Sequence, residues 1–546
     1  TTNGNANFAS ISPDGKYVGY VKSEGGKQSL WLRQVGSAGN LEIIPPREGY
    51  YQGLAFSPDG NYIYYGYTTD PAVSEVFKVP TLSVGAIGVK VKPTEGPSNM
   101  SHDGKHNALV RFDREHQQDL LIVTNADGSN EQVMTTRKWP ARLAWDWGTT
   151  TAWSSDDKKL VLPVMNSDAQ GVYVTMLEVN VADHSERIIP MSPQRFEQPS
   201  DITVLKDTRG IILSGKAQGA SFSQIWYLGL DGSARPLTND LSDYLAAVLT
   251  EDSTSLVTVQ RQTLGNIWTS TKNDSAKPIQ VTSGLGRYFD ITWSPDNKIV
   301  YASDASGIAD IYEVNADGSG VKQLTSGMKR NYSPTVSPDN RYIAFHSNRS
   351  GIFQIWRMDR DGSSQVQLTT GDTESNWPQF SPDGKYIYYE HFEAGRTGTT
   401  WRVGVENGTP ERVNDGYTLR PTISPDGKWL AYWYNEGQET SRWRLQITSL
   451  DGSQQVRTFD LAKSVAVQWD TMLHWSSDSR SLTFVDRRGG VDNIWAQPID
   501  GGPTRQVTKF SDSQIFAFDW YKDGTLAASR GVITSDVVLI SEVTTR

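Results

Sequence analysis

Along most of the chain, apolar and polar residues alternate in runs of about five to eight, and Gly, Pro, Asp or Asn closes each run. A period of two marks strands with one face buried. The stretch from Phe289 to Thr325 shows the plan: "FDITWS", turn "PDN", "KIVYASD", turn "ASG", "IADIYEVNA", turn "DGSG", "VKQLT". The next stretch repeats it. Four short strands joined by Gly-containing turns predict an antiparallel meander. No long segment of period 3.6 interrupts the pattern, so little helix is expected.

The plan recurs. Aligned on the Asp of "SPDG" and its echoes, it falls at Asp14, Asp59, Asp103, Asp156, Asp207, Asp252, Asp296, Asp339, Asp383, Asp426, Asp478 and Asp523. The gaps of roughly 43–53 residues match one four-stranded propeller blade. The spacing predicts an all-β fold, a β-propeller of about twelve four-stranded blades. Two six-bladed rings are favoured over one twelve-bladed ring, whose channel would be wide and wet. The boundary is set at 1–283 and 284–546. The last repeat lacks a fourth strand and "TTNGNA" resembles the tail of one, so the N-terminal strand is expected to complete the last blade, with residues missing upstream of Thr1.

The repeat also decides how "SPDG" is read. Ser, Asp and Gly side by side could be catalytic, but repetition makes them a turn. Pro suits the first central position, Asp can accept nearby N–H groups, and Gly takes positive φ. Asn297 and Asn340 replace that Gly in two copies. Asp-Gly at 127, 231, 317, 361, 451 and 500 marks a further hairpin turn.

Composition narrows the function. The 546 residues carry a net charge of −10, which disfavours nucleic acid and anionic membranes as partners. There is no Cys, so disulfides, zinc–thiolate sites and thiol nucleophiles are excluded, although the compartment does not follow. The 48 Gly and 18 Trp fit a turn-rich all-β chain. No apolar run reaches the length of a membrane span.

Catalytic motifs are absent. The seven His show no H-E-x-x-H spacing, and the nearest approach to G-x-S-x-G is "GASFS" at Gly219 to Ser223. Phosphate-loop and kinase motifs are missing too. No cofactor or metal is expected. Arg349, Arg487 and Arg488 read as surface ion pairs. Extra residues lie around Trp139–Thr151, Asp168–Arg195 and Ala466–Leu473, and such insertions often carry function. Two of them place Trp-Asp just before a blade: "RLAWDWGTTTAW" and "VQWDTMLHW". Arg142, Trp145, Asp146, Trp147, Trp469 and Asp470 are therefore the candidate ligand-binding residues, since Trp beside a carboxylate suits a peptide, sugar or cationic group. The competing reading is that these Trp cap blade interfaces and the Asp cap turns.

The phrase "SPDGKYIYY…IW…DGS…LT" resembles the PD40 or TolB-like propeller repeat, the family of the periplasmic protein TolB, the tricorn protease and the dipeptidyl peptidase IV propeller. Gly25 to Pro46 and Ser511 to Ile540 further resemble the region after the membrane span of bacterial receptor serine/threonine protein kinases. That resemblance implies a non-catalytic, extracytoplasmic sensor module, tethered to the membrane only through its parent protein. Its ligand, an unknown small molecule, peptide or protein, would bind at a ring mouth or between rings. A TolB-like protein-interaction scaffold is the alternative, and a propeller lyase or hydrolase the third reading.

Overall fold

The computed structural model describes residues 4–69, 75–91, 98–113, 115–138, 141–143, 151–168, 171–191, 194–207, 209–270, 278–284, 286–327, 329–392, 398–414, 416–435, 443–450, 456–462, 465, 472–488, 490–541 and 543. Every regular element among them is a β-strand. The strands form antiparallel sheets, most of them four-stranded with neighbours in chain order.

The chain divides into two compact units. The first holds Thr1–Asp168, Val172–Gln262 and Ile533–Arg546, and the second holds Ala169–Gly171 and Thr263–Val532. In the second unit, four-stranded sheets start at Tyr288–Trp293, Asn331–Val336, Ser375–Phe380, Tyr417–Ile423 and His474–Trp475. These first strands pack one on the next, and Gln514–Trp520 packs back on Tyr288–Trp293. At that last junction Trp293 Nε1 donates to the Asp519 carbonyl at 3.3 Å, and the Tyr521 hydroxyl donates to the Pro295 carbonyl at 3.1 Å. In the first unit, Ala6–Ile11 begins the first sheet and packs on both Tyr50–Phe56 and Val248–Leu249. A nine-stranded sheet runs there from Arg142–Leu143 to Ala234–Pro236, because Val174 on one repeat pairs with Phe196 on the next.

One sheet departs from the simple repeat. Ser255–Ser270 and Leu526–Ser541 are both 16 residues long and lie side by side in it. The division between units falls inside each of them, at 262/263 and 532/533. Gln514–Trp520 pairs with the early part of the second long strand, and Ile279–Gln280 with the late part of the first. The N-terminal segment joins the same sheet, through a parallel bridge from Asn5 to Ser535.

The core lies between successive sheets. Val300 and Ile311 pack with Ile343, Phe345 and Met358 of the following sheet, and Tyr342, Ala344 and Ile355 with Phe380, Ile387, Tyr389 and Val403 of the one after. Each large side chain buried this way is worth about 1.5–3 kcal/mol.

The "SPDG" turns are structural, for a reason visible atom by atom. Ser12 Oγ donates to Asp14 at 2.7 Å and accepts the Tyr17 N–H at 2.9 Å, while Asp14 accepts the Lys16 N–H at 3.1 Å. The Ser12 bond holds the Asp14 carboxyl down at about 2. The same cage recurs at Ser57, Ser101, Ser154, Ser337, Ser381, Ser424 and Ser476. The fourth residue is left-handed in each copy, Gly15 at φ 72° and Asn340 at 61° among them. In the described Asp-Gly hairpins the Gly takes positive φ and the Asp does not; the Asp accepts an N–H two residues on, as Asp317 does from Ser319 at 2.9 Å.

Candidate binding site

Of the residues singled out in the sequence, Trp145, Asp146, Trp147, Trp469 and Asp470 lie outside the described residues. Arg142 is buried, and its guanidinium is committed inside the protein. Its Nη2 donates to Asp119 Oδ1 at 2.8 Å, Asp119 also accepts the Leu143 N–H at 3.0 Å, and the guanidinium lies over the Phe112 ring at 5.0 Å. Arg487 and Arg488 pair within their own hairpin, with Asp492 and Asp486. Arg349 is half-buried and donates to Ser347 and Asn331, at 3.0 and 2.6 Å.

A different set of residues stands out in the second unit. In four consecutive sheets the first strand carries one extra residue, a bulge between Phe289/Thr292, Tyr332/Thr335, Asn376/Gln379 and Leu419/Thr422. The residue at each bulge is left-handed and is not glycine: Asp290 (φ 45°), Ser333 (49°), Trp377 (52°) and Arg420 (56°). Each such residue costs of order 1–3 kcal/mol unless its surroundings hold it, and strain of this kind gathers at functional sites. The last three each precede a proline, which fits a bulge because it needs no ladder donor there.

Three of them, Ser333, Trp377 and Arg420, are held by a side chain from the sheet before. Asp290 Oδ2 accepts the Ser333 N–H at 3.1 Å, His346 Nδ1 accepts the Trp377 N–H at 3.3 Å, and Glu390 Oε2 accepts the Arg420 N–H at 3.0 Å. Because His346 accepts at Nδ1, it is neutral and carries its proton at Nε2. Burial, helped by the Arg420 charge, lowers its pKa to about 3. Burial raises Glu390 to about 8; the Arg420 N–H and the Arg420 charge oppose that shift and Glu374 adds to it. Glu374 is itself raised by burial.

The bulges gather aromatic rings. Phe289 meets Tyr332 at 5.8 Å, Tyr332 meets His346 at 5.8 Å and Phe353 at 6.0 Å, His346 meets Trp377 at 6.0 Å, and Trp377 meets Phe392 at 6.3 Å. The Arg420 guanidinium lies over Trp377 at 3.8 Å and reaches Met472 Sδ at 3.3 Å. Phe289, Asp290, Tyr332, Phe353, Trp377 and Phe392 remain partly exposed. The result is a row of half-exposed aromatics across three consecutive sheets, with a carboxylate at one end and a stacked guanidinium at the other. Aromatic and Arg side chains in such settings are the usual anchors of protein interfaces.

Other features are less developed. A cavity of about 640 Å³ in the first unit is lined by four turns, with Asp14, Asp59, Leu82 and Glu251 among its walls. Among the described residues no group of three or more His, Cys, Asp or Glu is placed to hold a metal ion.

Repeated four-stranded antiparallel sheets, most with the same turn between their first two strands, make this an all-β protein of the propeller class. Residues 277–466 match the family described as the TolB beta propeller domain, PD40. Among solved structures, TolB from Acinetobacter baumannii is 16% identical over 70% of this chain and 82% of its own, with a TM-score of 0.36. The tricorn protease is 14% identical over 90% of this chain and 49% of its own, with a TM-score of 0.32. A GH74 enzyme from Niastella koreensis is 12% identical over 92% of this chain and 85% of its own, also at 0.32. A search of curated proteins finds no match.

Proposed function

We propose that the chain is a TolB-like, non-catalytic scaffold that binds a protein partner along the row from Phe289 to Arg420. The observation that carries this is the row itself: four non-glycine residues in strained conformations, each locked by the preceding sheet or by its own contacts, beside half-exposed aromatics. The PD40 match over 277–466 covers the same sheets and supports the reading.

The narrower forms belong to the same proposal. We place the protein outside the cytoplasm, and read it as the sensor part of a membrane-tethered serine/threonine protein kinase on the strength of Gly25–Pro46 and Ser511–Ile540. Sequencing the gene upstream of Thr1 tests that context, since kinase motifs followed by a membrane span are required. The binding reading is tested by placing a photo-crosslinking residue at Phe353, identifying the captured protein, and titrating it in purified form. Phe289→Ala and Trp377→Ala should each weaken binding about tenfold or more, the usual loss at an interface anchor. Unchanged affinity in both would remove this row as the site.

A further inference from the structure

Behind the row lies a carboxyl whose surroundings are one-sided. Glu390 is fully buried. Its Oε2 accepts the Arg420 N–H, but its Oε1 meets no donor among the described residues. Its cross-strand partners are Asn376 and Thr400, and Asn376 Oδ1 is likewise buried without a donor. The Thr400 hydroxyl is engaged with that of Thr418 at 3.0 Å. Oε1 presses toward Gly398: a Cβ there would stand 2.6 Å from Oε1 and 2.8 Å from the Thr418 carbonyl oxygen. Glycine at 398 therefore makes room for the carboxyl, in a spot shared with a backbone acceptor.

The charges around it are few. Glu374 lies just before the strand that pairs with Glu390, and Asn376 donates to its Oε2 at 3.4 Å. Arg420 comes from the next sheet. His346 lies on the preceding sheet, bonded to Trp377. His391 follows Glu390 in the chain and bonds to Thr373 and Ser375 at 3.2 and 3.1 Å. Among the described residues only Arg420 favours an ionised Glu390, while Glu374 opposes it. A buried oxygen among acceptors costs free energy unless it carries the donor itself.

We infer that Glu390 is a neutral carboxylic acid at neutral pH, that its proton lies on Oε1, and that it is a positioning residue which couples the geometry of Arg420 and Trp377 to proton loss. Its raised pKa agrees with this. The coupling to partner affinity rests on the proposed binding row; the protonation does not.

Glu390→Gln tests it, because the amide keeps an acceptor for Arg420 and a donor in place of Oε1–H but cannot ionise. Infrared difference spectra of wild type minus variant at about pH 7 should show the C=O stretch of a protonated carboxyl, fading with a midpoint near the raised value of about 8. Relative to the variant, the wild-type melting temperature should fall as pH rises from the ordinary carboxyl value of 4.5 to the raised value of about 8 and stay level above it, because over that window only the unfolded chain has lost the proton. Absence of the band, or a variant clearly less stable than wild type at neutral pH, overturns the inference. Should Glu390→Gln fail to fold, Arg420→Met serves instead. Removing the Arg420 charge should carry the fall in stability on to higher pH before it levels, and an unmoved end point counts against the inference. With the crosslinked partner in hand, wild-type affinity should change over the pH range in which the infrared band fades, and that of Glu390→Gln should not. A flat profile in both, with the infrared band present, would refute the coupling and leave the protonation standing.

Discussion

The main-chain N–H of Arg420 donates to Oε2 of Glu390 across the junction between two consecutive sheets, at 3.0 Å. Asp290 and Ser333 repeat this relationship, and so do His346 and Trp377. One physical problem is solved three times. A bulge frees a backbone donor and puts a side-chain-bearing residue in a left-handed conformation; the neighbouring sheet supplies an acceptor that satisfies the donor and fixes the conformation.

Removing an acceptor should therefore release the bulge behind it. Asp290→Ala leaves the Ser333 N–H without that partner and is expected to cost about 1–3 kcal/mol. A thermal scan should show the loss, and hydrogen exchange should show faster exchange at Ser333 while distant strands keep their protection. Unchanged exchange at Ser333 would mean that the acceptor does not hold the bulge.

His346 gives the acid side of stability a definite sign. Its folded pKa, about 3, lies below the ordinary 6.5. The unfolded chain thus binds the proton more readily, so His346 contributes stability above about pH 6.5 that is lost as pH falls toward 3. The span of that loss is on the order of a few kcal/mol. His346→Gln can still accept the Trp377 N–H and does not titrate. Its melting temperature should fall less steeply than that of wild type between about pH 6 and about pH 4, and parallel curves for the two proteins would contradict this.

The turns and strands were legible in the sequence because each repeat writes them in the same way. The Ser–Asp cage needs its residues at fixed offsets; the Thr250 copy forms it with a different hydroxyl, donating to Asp252 at 2.6 Å, while the Asp207 copy, with Leu205 at the Ser position, keeps only the bond from the Arg209 N–H at 3.0 Å. The binding row was not legible. Its acceptors, Asp290, His346 and Glu390, differ in type, and Asp290 stands on a first strand while the other two stand on second strands, so no shared residue or position marks it. The single available signal is the dipeptide Ser333-Pro334, Trp377-Pro378 and Arg420-Pro421, where proline interrupts an alternating strand. The joining of the two long strands left no trace either, because Ser255–Ser270 and Leu526–Ser541 alternate like any other strand.

Asp157 stands where half of the repeats have Gly, with φ 56°. Its carboxylate reaches the turn of the preceding repeat, accepting the N–H groups of His102 and Asp103 at 2.8 and 2.9 Å and meeting His102 Nδ1 at 2.8 Å. Ser253 and Ser479 do the same for Lys206 and Asp426 at 3.0 and 3.1 Å. Asp157→Gly relieves the backbone but removes those bonds. Two charge-assisted bonds, even partly exposed, outweigh the roughly 1 kcal/mol that Gly recovers in a left-handed conformation. The variant should melt lower than wild type, and a higher melting temperature would show that strain dominates.

Asp119 and Arg142 form a buried pair in which either partner alone is costly. Asp119→Ala leaves the guanidinium without its counter-charge and removes the acceptor of the Leu143 N–H. Losses of about 3–5 kcal/mol follow from breaking such a pair. The double variant Asp119→Ala with Arg142→Met should recover part of that loss, because it buries no unpaired charge. A double variant no more stable than the single one would show that packing, rather than charge, sets the cost.

The last prediction concerns the second long strand. Residues 533–546 belong to the first unit, although the sheets that precede them in the chain belong to the second. Val537 packs on the cluster containing Ala6, Ile11 and Val257, and Val543 on the cluster containing Ile212, Ile225 and Leu256. Ser535 is bound there as well, its N–H donating to the Gly4 carbonyl at 3.0 Å. A chain ending at Val532 would keep Leu526 to Val532, which pair with Gln514–Trp520, but would strip these contacts from the first unit. One buried and one partly buried Val side chain, with several backbone bonds, amount to a loss of about 3 kcal/mol. The expected outcome is selective. Hydrogen exchange should quicken in Ala6–Ile11 and Ser255–Gln262, while Asn331–Val336 and Ser375–Phe380 keep their protection. Equal loosening of both sets of strands would mean that the end of the chain supports the second unit as much as the first.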